Sequence, residues 1–147
     1  MKFLITGGLG FIGSHLAESL IKSDHNIKIL TRTLSKKSNI KILNKKIKIE
    51  TIDITNFRKL GRCIEKFKPN VIIHLAGNTS HSKSFEEPLD DIDSNAKTTL
   101  FMLEKIREMK LQCRFILGST FIVIGRPQKL PIDEKTPCWP TTVYGAN

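Results

Sequence analysis

Near the amino end, Thr6-Gly7-Gly8-Leu9-Gly10-Phe11-Ile12-Gly13 concentrates glycine where the apolar run Phe3-Leu4-Ile5 gives way to an amphipathic stretch. Gly8, Gly10 and Gly13 satisfy the general three-glycine pattern of a strand that turns tightly into a helix. One glycine allows the turn, one lets backbone N–H groups approach a ligand without a side chain between, and one lets the helix pack on the strand. The helix amino terminus then offers unpaired N–H groups and partial positive charge, which suit the pyrophosphate of a dinucleotide. Glycines also serve ordinary turns; here the position between a strand and an amphipathic helix favours the nucleotide.

In such a fold an acid at the end of the second strand usually accepts hydrogen bonds from the adenosine ribose of NAD. Ile29-Leu30-Thr31-Arg32 has no acid there. Thr31 and Arg32 would instead face the ribose, and a guanidinium pairs with a 2′-phosphate through two parallel hydrogen bonds, so NAD(P) is expected with NADP favoured. The competing reading is that Arg32 is one more surface cation among 24 lysines and arginines.

The elements that must position these groups follow from period and breakers. Strand Lys2 to Thr6, a helix carrying Ile12, Leu16, Leu20 and Ile21 and ending near Ser23-Asp24, and strand Ile27 to Arg32 form the first unit. Strand Ile47 to Ile52 and a helix from Asn56 to Phe67 follow, the helix stopping before Pro69 because a residue preceding proline avoids helical geometry. Strand Val71 to Leu75, a polar loop from Asn78 to Ser84, and a helix with Leu100, Leu103 and Ile106 running to Met109 come next. Strand Cys113 to Gly118 and a proline-rich tail complete the order. Alternating strands and helices predict an α/β fold of Rossmann type, a doubly wound parallel sheet with helices on both faces.

The 147 residues suit one domain, and no run of apolar residues reaches the length of a membrane span. No secretory signal precedes Thr6-Gly7-Gly8, which makes the cytoplasm the expected location. Cys63, Cys113 and Cys138 are odd in number and widely spaced, so neither a disulfide framework nor a metal site is expected. The net charge of +10 raises nucleic acid as a partner, but the cations are spread out. Even the densest run, Lys36, Lys37, Lys41, Lys45, Lys46 and Lys48, is interleaved with Ile40, Ile42, Leu43, Ile47 and Ile49, which reads as solvated faces around buried strands. Neither a nucleic-acid nor a membrane partner is expected.

Thr6 to Gly13, continued by Ser14-His15-Leu16, resembles the opening of the extended short-chain dehydrogenase/reductase family, the NAD-dependent epimerase/dehydratases that act mainly on nucleotide sugars. The resemblance covers the whole chain and implies cofactor contacts at Gly7, Gly10, Phe11, Ile12 and Gly13. Asp53-Ile54 resembles the family's acidic residue and apolar neighbour at the adenine ring. His74-Leu75-Ala76-Gly77 is similar to its fourth-strand segment beside the cofactor, and Asn95 to the asparagine of its central helix.

Phe115 to Gly125 resembles the family's fifth strand and the loop holding its catalytic serine or threonine; matching Gly125 to the family glycine implies that Thr120 has that role. Ile124 stands where a tyrosine is common. Leu130 to Glu134 and Pro137 to Pro140 resemble the approach to the catalytic tyrosine, which the resemblance assigns to Tyr144, with a second role at the cofactor. In the family a lysine four residues further on supports the phenolate; that position would be 148, and the sequence runs to Asn147. The resemblance thus implies an incomplete cofactor-binding domain over residues 1–147, cut before the last strands and the substrate domain. In the full-length parent it implies a nucleotide-sugar substrate and allows a homodimer. The alternative is an inactive dinucleotide-binding remnant.

Other residues have structural readings. His15 and His74 are expected to pack or cap, and His81 to stand in an exposed loop near the nicotinamide end, where it is also within reach of substrate. Trp139, between Pro137 and Pro140, is expected to pack the tail onto the domain.

Overall fold

The computed structural model describes residues 1–40 and 47–147. Five parallel strands, β1 (Lys2–Thr6), β2 (Asn26–Thr31), β3 (Ile47–Thr51), β4 (Val71–His74) and β5 (Arg114–Leu117), lie in the order β3-β2-β1-β4-β5. The chain therefore winds outward one way from β1, then returns to β1's other side, which opens a crevice between β1 and β4 at their carboxyl ends. β1 sets both registers: Ile5 is paired with Ile29 of β2 and with Ile73 of β4.

Strand alternation splits the core into two layers. Leu4 faces Leu60, Cys63, Ile64 and Met102, which come from α2 (Phe57–Phe67) and α5 (Thr98–Glu108). Ile5 and Ile27 face Ala17 and Ile21 of α1 (Phe11–Lys22). Asn56 caps α2 by accepting the Lys59 N–H, and Lys68 ends it in the left-handed conformation at φ 49°, directly before Pro69. The expected fold class and the order of its main elements are those observed.

The region after β4 differs in detail from the expected loop and helix. It holds two short helices, α3 (Lys83–Glu86) and α4 (Pro88–Ile92), and a π-helical segment, Asp93–Lys97, that runs into α5. Of the apolar positions expected on α5, Ile106 packs against the core, whereas Leu100 and Leu103 stand exposed; Met102 is buried in their place, with Phe101 packed beside it. Leu100 and Leu103 share one face of α5, and the sheet takes the other, the Met102 side.

The tail is more ordered than proline content implied. A 3-10 turn (Phe121–Ile124) and a short helix, α6 (Val143–Ala146), frame it, and a single backbone bridge joins Gly125 to Trp139. Trp139 itself is 62% exposed, so the expected packing of its ring onto the domain is corrected: the backbone makes the tie and the indole faces water. Of the basic run, Lys36, Lys37 and Lys48 are exposed and Ile40 and Ile47 buried, while Lys41, Ile42, Leu43, Lys45 and Lys46 lie outside the described residues. No helix among the described residues is long and apolar enough to cross a membrane.

Candidate functional site

The crevice at the β1–β4 junction is built from the strand ends outward. Gly7 leaves β1 at φ 67°, and a Cβ there would stand 2.9 Å from the Ala76 nitrogen, so no side chain fits between the two strand ends. Gly13 lies against the same turn; its Cβ would stand 2.5 Å from the Gly7 oxygen and 2.6 Å from the Gly8 Cα. The turn closes through Gly10 N–H to the Gly7 carbonyl at 2.9 Å, and α1 begins with Ser14 N–H to the Gly10 carbonyl at 2.9 Å. Gly10 has no side chain to cap the helix, which leaves the amides of Phe11, Ile12 and Gly13 free for an anion.

Under the turn, Thr6 and His74 tie β1 to β4. The Thr6 hydroxyl oxygen accepts the Leu75 N–H at 3.2 Å and the Ala76 N–H at 3.1 Å, and lies 2.6 Å from His74 Nδ1. With both lone pairs taken, the hydroxyl proton goes to Nδ1, which fixes His74 as the neutral Nε2–H tautomer. Burial agrees, pushing the His74 imidazole down to about 4. His74 is the satisfied structural histidine expected of it. His15 is exposed, its ring edge-on to Phe11 at 5.1 Å.

A cavity of about 500 Å³ runs from this turn across the carboxyl ends of β4 and β5. Gly7, Gly10, Phe11, Ile12, Gly13, Leu75, Ala76, Gly77, Asn95, Thr120 and Tyr144 all line it. Thr31, Arg32, Asp53 and Ile54 do not line that cavity. Arg32 lies one residue past β2, not within it, and is exposed with no hydrogen bond or ion pair to another described residue. The Thr31 hydroxyl donates to the Thr33 carbonyl at 2.8 Å. One oxygen of Asp53 accepts from the Thr55 amide at 3.0 Å and hydroxyl at 2.8 Å, and Ile54 is buried behind it.

Thr120 and Tyr144 line one cavity because α6 sits on the 3-10 turn. Thr142 caps α6 by accepting the Gly145 N–H at 3.1 Å, and Gly145 is buried against the Ile122 carbonyl. The Thr120 oxygen accepts the Ile122 N–H at 3.3 Å, which leaves its proton free to donate into the cavity. His81, exposed as expected, lies edge-on to Tyr144 with ring centroids 6.2 Å apart. Beside them Asn95 Oδ1 accepts the Asn78 N–H at 2.9 Å, and Asn95 Nδ2 lies 3.4 Å from Asp91 Oδ1.

Sequence reasoning missed Asp91 and Asn147. The four-residue spacing of Asp91 and Asn95 is a helical signal that was available; the Asn147 contact spans 56 positions and has no local signature. The cysteines are unpaired, and burial pushes the Cys63 thiol up to about 11, which removes it as a nucleophile. No group of metal-ligating side chains occurs among the described residues.

Against known proteins, the family model for GDP-mannose 4,6 dehydratase matches residues 4–147. The chain belongs to this family. It is thereby a member of the NAD-dependent epimerase/dehydratases of extended short-chain dehydrogenase type. A putative UDP-glucose 4-epimerase of Methanocaldococcus jannaschii is 35% identical over 143 residues, covering 97% of this chain and 46% of the relative. The structure of the UDP-Glc/GlcNAc 4-epimerase from Campylobacter jejuni superimposes with a TM-score of 0.89 at 28% identity, over 99% of this chain and 45% of the other. That of the Thermus thermophilus UDP-glucose 4-epimerase, a complex with NAD, gives 0.85 at 28% identity over 99% and 47%. The chain spans somewhat under half the length of the relatives it matches.

Proposed function

We propose that the chain is the cofactor-binding part of an NAD(P)-dependent nucleotide-sugar epimerase, dehydratase or reductase that works by hydride transfer at a sugar carbon. The observation that carries this reading is one continuous cavity with the free amides of Phe11 to Gly13 at one end and Thr120 and Tyr144 at the other. The similarity to UDP-sugar epimerases, one of them solved with NAD, supports the cofactor and substrate class.

A nicotinamide dinucleotide supplies a hydride acceptor and donor when bound. The chain's own residues bind and orient. The amides of Phe11, Ile12 and Gly13 hold the pyrophosphate, and the open oxygen of Asp53 with Ile54 behind it faces the adenosine. Leu75, Ala76, Gly77 and Asn95 form the wall along the middle of the cavity. Thr120 donates its free proton to a sugar oxygen, and Tyr144 acts as base in its phenolate form, taking the sugar hydroxyl proton as hydride leaves that carbon and, as the phenol so formed, returning it in the reverse step. Tyr144 also reaches the cofactor.

NADP is the favoured form, supported by Arg32, whose guanidinium is unpaired at the end of β2 with no acid beside it. A homodimer of the whole protein is supported by Leu89 and Ile92, and by Leu100 and Leu103, each pair one helical turn apart and exposed. A cytoplasmic location is supported by three cysteines that stay unpaired. No nucleic-acid partner belongs to this reading.

Titration of the purified chain with NADH and NADPH, followed by calorimetry, tests the reading. Saturable binding of at least one, competed by its oxidised form, is expected. Absence of binding to either overturns it.

A further inference from the structure

α6 carries Tyr144 and lies on the 3-10 turn. Its first half is fixed by the Thr142 cap and by Gly145 against the Ile122 carbonyl. Asn147, three residues past Tyr144, donates its Nδ2–H to Asp91 Oδ2 at 2.6 Å. Asp91 is fully buried on α4, and no lysine or arginine among the described residues pairs with it. Its other oxygen faces Asn95 Nδ2 at 3.4 Å, and Asn95 in turn holds the Asn78 N–H of the loop that carries His81. The Asp91 carboxylate thus joins α6 directly and the Asn78 loop through Asn95, and the Tyr144 ring lies edge-on to His81 of that loop.

The residue type suits the task. A buried carboxylate is costly unless hydrogen bonds satisfy it, and here the donors are both neutral amides. It is also acceptor-only, so it receives two NH₂ groups at once; an asparagine would turn its own NH₂ against one of them.

We propose that Asp91 is the positioning residue for Tyr144: one carboxylate oxygen holds Asn147 and the other holds Asn95, and together they set where the phenol stands relative to Thr120 and the cavity. The geometry is independent of the function; that it serves proton transfer rests on the reading of Tyr144 given above.

Tyr144 is the only tyrosine, so ring-13C-labelled tyrosine gives an NMR spectrum of this residue alone. Asn147→Ala is expected to move the ring resonances to free-peptide positions while the methyl signals of the core and the thermal midpoint stay in place. Asp91→Asn is expected to do the same, and the double variant no more than either single one. Should Asp91→Asn lose its core methyl dispersion, Asn147→Ala alone decides. Ring resonances in Asn147→Ala that superimpose on those of the parent overturn the clamp. A parent that binds NADH or NADPH while its variants keep their ring resonances loses the clamp and retains the proposed function. A parent that binds neither while its variants shift retains the clamp and loses the proton-transfer role.

Discussion

Arg32 and Asp53 stand at neighbouring strand ends but in different circumstances. Asp53 spends one oxygen on the Thr55 turn and is oriented by it, whereas the Arg32 guanidinium has no partner among the described residues. A free guanidinium loses little on pairing with a phosphate, and a charge-assisted bond of that kind contributes about 1.5–3 kcal/mol. Arg32→Ala is therefore expected to weaken NADPH binding about 10- to 100-fold, the equivalent in affinity, and to leave NADH binding nearly unchanged. Calorimetric titration of both nucleotides against parent and variant reads the difference directly. Equal losses for the two would assign Arg32 to a general surface charge. What the sequence shows directly at this point is the missing acid in Thr31-Arg32. The Asp91 contact with Asn147 was not legible, because a bond across 56 positions exists only once the sheet has formed.

At the scale of elements, the turn between β1 and α1 carries the most constraint. Gly13 is held against the Gly7 oxygen and the Gly8 Cα, both backbone atoms that cannot rotate away. Gly13→Ala must push the helix from the turn, and overpacking of this kind costs about 1–3 kcal/mol. Urea unfolding should show a loss in that range, with dinucleotide binding abolished. A variant that keeps both stability and binding would mean the turn has slack the distances do not show. The strands and α2 were readable because Leu4, Ile29, Ile64 and their neighbours repeat at the period of their element, and Asn56 and Pro69 mark the ends of α2. The 3-10 turn was not, since four residues have no period to read. Nor was the exposure of Leu100 and Leu103, because pattern tells that a helix has an apolar face but not which part the sheet covers.

For the molecule as a whole, His74 links stability to pH. Unfolded, its imidazole takes a proton near pH 6.5; folded, burial delays this to about pH 4. Between those values the unfolded chain binds more protons, so the contribution is intact above about pH 6.5 and is lost as pH falls towards 4, by about 3 kcal/mol at the lower limit. Urea midpoints measured from pH 7.5 to 4.5 should fall, and the part of the fall between 6.5 and 5 should be absent in His74→Asn. A parent and variant with parallel profiles would place the proton uptake elsewhere.

The strand order has a consequence for how the chain is made. β1 is made before its two neighbours and finds β2 within a few tens of residues, but its other edge must wait for β4, about forty residues beyond the end of β2. At roughly 5–20 residues per second, that edge stays open for about 2–8 s after β2 is complete. During that interval Phe3, Leu4 and Ile5 offer unpaired backbone groups flanked by apolar side chains, the combination most prone to pair with another chain. The central strand that organises the finished sheet is thus open to pairing with another chain until the second half of the crossover has been synthesised.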